Sequence, residues 1–114
     1  MNVQHPLNVF FYRTDTGNEP VRDWLKGLSK SEMKRIGVDI KTVQYGWPIG
    51  MPVVRNLTRG LWEVRSNLGN KISRVLFTLY GNNIILLHGF IKKTASTPKD
   101  DLDLAFKRMK QIKG

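Results

Sequence analysis

Leu61-Trp62-Glu63-Val64-Arg65, Ser73-Arg74-Val75-Leu76-Phe77 and Ile84-Ile85-Leu86-Leu87-His88-Gly89-Phe90-Ile91-Lys92-Lys93 decide the fold of this chain. In each stretch apolar residues alternate with a sparse set of charged ones, as in a strand with one buried face and one polar face. A period of two places Trp62, Val64, Val75, Phe77, Ile85, Leu87 and Ile91 on one face. Glu63, Arg65, Arg74, His88, Phe90 and Lys92 fall on the other. Three consecutive strands therefore gather two arginines, a histidine, a carboxylate and a lysine on one sheet surface. Such a surface suits an anionic ligand, and its residue types suit chemistry on a phosphodiester.

Around this core the chain alternates clear elements with turn chemistry. Leu7 to Arg13 reads as a first strand, followed by the turn residues Asp15-Thr16-Gly17-Asn18. A first helix is expected with Asn18 as cap, Pro20 in its first turn, and Val21, Trp24, Leu25 and Leu28 as its apolar stripe. Ser29 and Glu32 form a capping box for a second helix, whose stripe is Met33, Ile36, Ile40 and Val43. Gly46-Trp47-Pro48 ends it. Residues 46–60 read as a loop with a short extended piece at Val53-Val54. Strands are expected near 61–66, 72–80 and 83–93, joined by Asn67-Leu68-Gly69-Asn70 and Gly81-Asn82. A last helix begins with Thr97 as cap and Pro98 in the first helical position. Asp100 and Asp101 lie near its positive end, and Leu102, Ala105, Phe106, Met109 and Ile112 form its stripe. The order β-α-α-β-β-β-α predicts a single α+β domain over residues 1–114. Its helices should cover one face of a mainly antiparallel sheet and leave the other at least partly open.

The 114 residues suffice for one hydrophobic core, and the net charge of +10 points to a polyanionic partner. Residues 1–50 carry seven basic and five acidic groups (+2), and residues 51–114 carry twelve and four (+8). The positive field thus coincides with the strand series. Absence of cysteine removes disulfides, thiolate metal sites and thiol nucleophiles together. Two histidines far apart and scattered carboxylates match no metal-ligand pattern, and no Gly-rich phosphate loop or serine elbow occurs. Neither a metal nor a cofactor is expected. No stretch approaches the ~18 apolar residues of a membrane span, and no signal-peptide pattern opens the chain, so a cytoplasmic protein is expected.

The element order resembles that of the RelE/ParE toxin superfamily of bacterial toxin–antitoxin modules, and within it the phage-derived HigB-type branch. The carriers are Leu61 to Arg65, Arg74 to Phe77, and the run Leu86-Leu87-His88-Gly89-Phe90-Ile91-Lys92-Lys93-Thr94. Thr97-Pro98 and the helix with Ala105 and Arg108 complete the likeness, which extends over almost the whole chain. The resemblance implies a RelE-like fold and a ribosome-dependent mRNA endonuclease that inhibits translation. The implied chemistry is metal-independent: the ribose 2′-hydroxyl attacks the adjacent phosphorus, leaving a 2′,3′-cyclic phosphate and a free 5′-hydroxyl. It also implies a cognate antitoxin with a helix-turn-helix domain, contact with mRNA in the ribosomal A site, and operator DNA reached only through the antitoxin.

Carried over by position, Arg74 matches a phosphate-contacting arginine, Arg65 an arginine ending the preceding strand, and Lys92 and Lys93 a basic pair after the last strand, which reads as RNA or ribosome contacts or as a solvated strand end. His88 is the one residue on the polar face of a type suited to proton transfer near neutrality; it is equally readable as a hydrogen-bonded structural histidine. Arg65 likewise has a structural reading, pairing with Glu63. Phe90 is the aromatic expected to be exposed and able to stack a base. Lys107 and Arg108 on the last helix are expected to meet rRNA phosphates, or simply to solvate the helix, rather than to perform chemistry. Trp24, Trp47 and Trp62 are expected in the core. Glu63 departs from ribosome-dependent relatives, which carry lysine there, and the C-terminal tyrosine some relatives use is missing. Two rival functions share this reading. One is a ParE-like inhibitor of DNA gyrase without nuclease activity, and the other a non-catalytic RNA-binding or ribosome-associated domain.

Overall fold

A computed structural model of the chain describes residues 6–50, 52–92 and 97–113. Its elements are β1 (Asn8–Phe11), α1 (Pro20–Lys26), α2 (Lys30–Gly46), β2 (Val54–Thr58), β3 (Leu61–Asn67), β4 (Ile72–Tyr80), β5 (Asn83–Lys92) and α3 (Lys99–Lys113). They build one five-stranded sheet in the order β1-β5-β4-β3-β2. The consecutive strands β2 to β5 pair antiparallel through short turns, while β1, separated by two helices, pairs parallel to β5. Gly81 sits at φ +61° at the first central position of the two-residue β4–β5 turn, where a Cβ would be strained.

β2 is an element that the sequence reading assigned to a loop. Only Val54 of its five residues is buried, so this edge strand shows no alternation to betray it. The α1 cap also differs. Asn18 donates its backbone N–H to Thr14 Oγ1 and closes the preceding turn, and Glu19 takes the N-cap position with no side-chain bond. The α2 capping box forms as expected: Ser29 Oγ accepts from the Glu32 N–H, and Glu32 Oε1 accepts from the Ser29 N–H. Met33, however, is exposed, leaving Ile36, Ile40 and Val43 as the buried stripe.

The larger difference concerns the layers. α1 and α2 cover one face, packing Val21, Ile36, Ile40 and Val43 on Val64, Val75, Phe77, Ile84 and Leu86. Trp47, Trp62 and Phe77 close this core in mutual contact, with ring centroids 5.2 to 6.0 Å apart. α3 does not join that layer. It covers the opposite face, where Ala105 and Met109 pack on Leu61, Leu76, Leu87 and Phe90. The expectation of one open face is therefore corrected: helices lie on both sides.

A bulge in β5 explains this. Leu76 pairs with His88 but Phe77 pairs with Leu86, so Leu87 is an extra residue with no partner in the ladder. N-terminal to the bulge the alternation inverts. Ile84 and Leu86 face the α1–α2 layer, and Ile85 and Leu87 turn to α3, opposite to a strict period of two. The inversion supplies the leucine that α3 needs. Phe106, expected in the α3 stripe, lies at the helix edge at 37% exposure with Lys110 Nζ over its ring. No helix among the described residues is long and apolar enough to cross a membrane.

Candidate functional site

Cross-strand register fixes which side chains meet. Arg55 stands opposite Glu63, Glu63 opposite Leu76, and Leu76 opposite His88. One row along, Arg65 stands opposite Arg74 and Arg74 opposite Phe90. Paired residues share a face, so Glu63, Arg65, Arg74, His88 and Phe90 do converge on one side of the sheet, as the alternation predicts. Lys92 ends β5 on that side, exposed, opposite Ile72. Lys93 lies outside the described residues.

The centre of this face is closed. The side chains of Arg74 and Glu63 both have 0% exposure, with Arg74 Nη1 3.7 Å from Glu63 Oε2. Arg65 Nε is 4.0 Å from the other oxygen, Oε1, and the Arg65 side chain keeps 21% exposure. Thr97 closes the top: its hydroxyl donates to Glu63 Oε2 at 2.8 Å, and Arg74 Nη1 approaches Thr97 Oγ1 at 3.5 Å. α3 begins at Lys99, one residue later than expected, so Pro98 and not Thr97 holds the capping position. The backbone carbonyl of Pro98 opens α3 instead, accepting from the Leu102 N–H at 3.0 Å. Burial pushes the Arg74 pKa down from its ordinary value; Glu63 opposes this, and Arg65 and Arg55 add to it. A guanidinium starts so high that it remains a cation.

His88 and Phe90 lie where α3 meets β5. His88 Nε2 is 2.6 Å from Asp101 Oδ1 in the first turns of α3. The imidazole stacks on Phe90 with centroids 5.6 Å apart. Phe90, expected to be exposed for base stacking, is buried beneath α3 at 8% exposure, because the helix that was to leave this face open covers it. Behind the strand, His88 borders a cleft of about 240 Å³ between α1 and α3, together with Trp24, Leu104 and Arg108.

The two candidate residues of α3 part company. Lys107 is exposed on the helix surface. Arg108 turns inward: its Nη1 donates to the Leu87 carbonyl at 2.8 Å, and its guanidinium lies 5.3 Å from the Tyr12 ring centroid. Burial lowers its pKa, with Tyr12 opposing. Leu87 is the bulged residue, so Arg108 satisfies a carbonyl at the point where the ladder is broken. Arg108→Ala should cost about 1.5–3 kcal/mol, the range for a hydrogen bond to a charged donor. The urea unfolding midpoint measures this, and Lys107→Ala is expected to leave it unchanged.

Three residues beside the site carry no local sequence signal. Arg55 was hidden because β2 was not recognised. Asp101 was read only as a helix-end charge, although a carboxylate in that turn also reaches a histidine on the strand below. Thr97 was read as a cap, and nothing local to it signals Glu63.

Residues 23–110, well over half of the chain, match the family described as phage-derived Gp49-like protein (DUF891). The chain belongs to this Gp49-like family. The matched region runs from α1 through most of α3, so every site residue described above lies inside the Gp49-like part of the chain. No curated protein matches the sequence.

Proposed function

We propose that this Gp49-like protein is the toxin of a type II toxin–antitoxin module, and that it acts as a HigB-type, ribosome-dependent mRNA endonuclease. The observation that carries the reading is the convergence of Arg65 and Arg74, from adjacent strands, on the carboxylate of Glu63, with exposed Arg55 opposite Glu63 on β2. Exposed Lys92 lies at the margin of the same face. Cleavage by the ribose 2′-hydroxyl needs fixed positive charge on the crowded phosphorus, and guanidinium groups on rigid strands supply it without a metal. In this proposal His88, whose Nε2 lies 2.6 Å from Asp101 Oδ1, serves as the proton-transfer group, in the way a catalytic imidazole is oriented by a carboxylate. The partners under this proposal are mRNA in the ribosomal A site and a helix-turn-helix antitoxin that links the toxin to operator DNA.

A second reading, a ParE-like gyrase inhibitor without nuclease activity, draws on the complete burial of Arg74. A toxin that only binds needs no reachable guanidinium at that position. Primer extension on mRNA in a translating extract separates the two. Specific breaks within codons are expected with the wild type and are expected to vanish with Arg65→Ala combined with Lys92→Ala. Intact mRNA beside stalled gyrase–DNA complexes would establish the second reading instead.

A further inference from the structure

Arg74 is the most enclosed cation of the sheet, and it is neutralised from within the chain. Glu63 offers one oxygen to each of two arginines, Oε2 to Arg74 at 3.7 Å and Oε1 to Arg65 at 4.0 Å. Thr97 adds a hydroxyl donor to Oε2 at 2.8 Å, and Arg55 stands opposite on β2. Two anionic oxygens on one centre, shared between two guanidiniums and met by a hydroxyl, are also what a phosphodiester presents through its non-bridging oxygens. We propose that Glu63 is an internal stand-in for an RNA phosphate. Its carboxylate occupies the anion site of Arg65 and Arg74, and a substrate phosphate binds by taking its place. This rests on the nuclease reading for the identity of the substrate.

Two observations favour exchange over a purely structural pair. Two arginines, Arg65 and Arg74, share one carboxylate, leaving a net positive charge that a phosphodiester anion meets as well as Glu63 does. Glu63 Oε1 is buried without a hydrogen bond among the described residues, so the internal ligand is imperfectly held. Exchange also confers selectivity. An internal carboxylate competes at an effective concentration of about millimolar or above, which a free phosphate in dilute solution does not match. A phosphate held in position by a larger assembly is not so disadvantaged. Glu63 thus biases the site toward RNA that is presented and against RNA that is free.

Glu63→Gln tests this, because it keeps the shape and removes the competing charge. With inorganic phosphate as the probe at matched ionic strength, calorimetry should show binding to Glu63→Gln at least 10-fold tighter than to the wild type. Adding Arg65→Ala should abolish the gain. If Glu63→Gln does not fold alone, millimolar phosphate should restore its circular dichroism. Equal affinity for the two proteins overturns the proposal, as does an unfolded variant that phosphate fails to restore. Primer extension is scored independently. Tighter phosphate binding without mRNA cleavage by the wild type removes the nuclease reading and leaves the stand-in intact, whereas cleavage with equal phosphate affinity does the reverse.

Discussion

Arg74→Ala is expected to destabilise the protein by about 3–5 kcal/mol and, under the nuclease proposal, to abolish cleavage. The loss does not measure the strength of the ion pair. It arises because Glu63, with no exposure of its own, is left as a buried carboxylate without its nearest cation, while water cannot reach it. Arg65 is a poor substitute, since its Nε is 4.0 Å away and its side chain partly faces solvent. The double variant Glu63→Leu with Arg74→Met should behave differently. Removing both charges and filling the space with apolar groups of similar size is expected to recover most of the loss, because neither ion then has to be desolvated. Urea midpoints at unchanged m-value report the difference. Under the nuclease proposal both variants should be inactive in primer extension, so the pair separates the role of Arg74 in stability from its proposed role toward RNA. A cost below about 1 kcal/mol for Arg74→Ala would mean that Glu63 is held by something other than Arg74.

This centre was half legible in the sequence. Alternation alone placed Glu63, Arg65, Arg74 and His88 on one face, and the register agrees. Burial was not legible, because a period of two assigns residues to faces without saying what covers a face. That depended on α3, and α3 docks here because the bulge delivers Leu87 next to Leu61, Leu76 and Phe90. A single extra residue in a strand leaves no compositional trace, so the apolar run Ile84 to Leu87 permitted either assignment. The capping box of α2, the Gly81-Asn82 turn and the proline stops were readable because each is fixed by a few neighbouring residues. Thr97–Glu63 and His88–Asp101 span 34 and 13 positions, and long-range pairings of that kind have no local signal. The parallel pairing of β1 with β5 belongs with them, since it joins the first strand to the last.

Gly89→Ala is expected to cost about 2–3 kcal/mol, at the upper end for overpacking a well-filled site. A Cβ on Gly89 would lie 2.4 Å from both Cε3 and Cζ3 of Trp24 and 3.0 Å from Cδ2. These are carbons of a fused ring, so no terminal rotamer relieves the contact. The indole must leave its place or α1 must retreat. α1 is poorly equipped to resist, having seven residues and no side-chain N-cap bond, so its docking depends on Val21 and Trp24 rather than on intrinsic helix stability. Loss of that docking should shift Trp24 emission to the red under native conditions as well as lower the urea midpoint. Trp24→Leu in the Gly89→Ala background is the control, since the smaller side chain vacates the space that the methyl needs. The double variant should be less destabilised than the sum of the two single changes, with a coupling of about 1 kcal/mol or more, because one contact accounts for most of the Gly89→Ala penalty. Strict additivity would show that the glycine is required for the strand rather than for the approach of the indole. The consequence reaches the site itself: Gly89 separates His88 from Phe90, and a displaced β5 backbone would loosen the His88–Asp101 contact that pins the start of α3 to β5, next to Thr97.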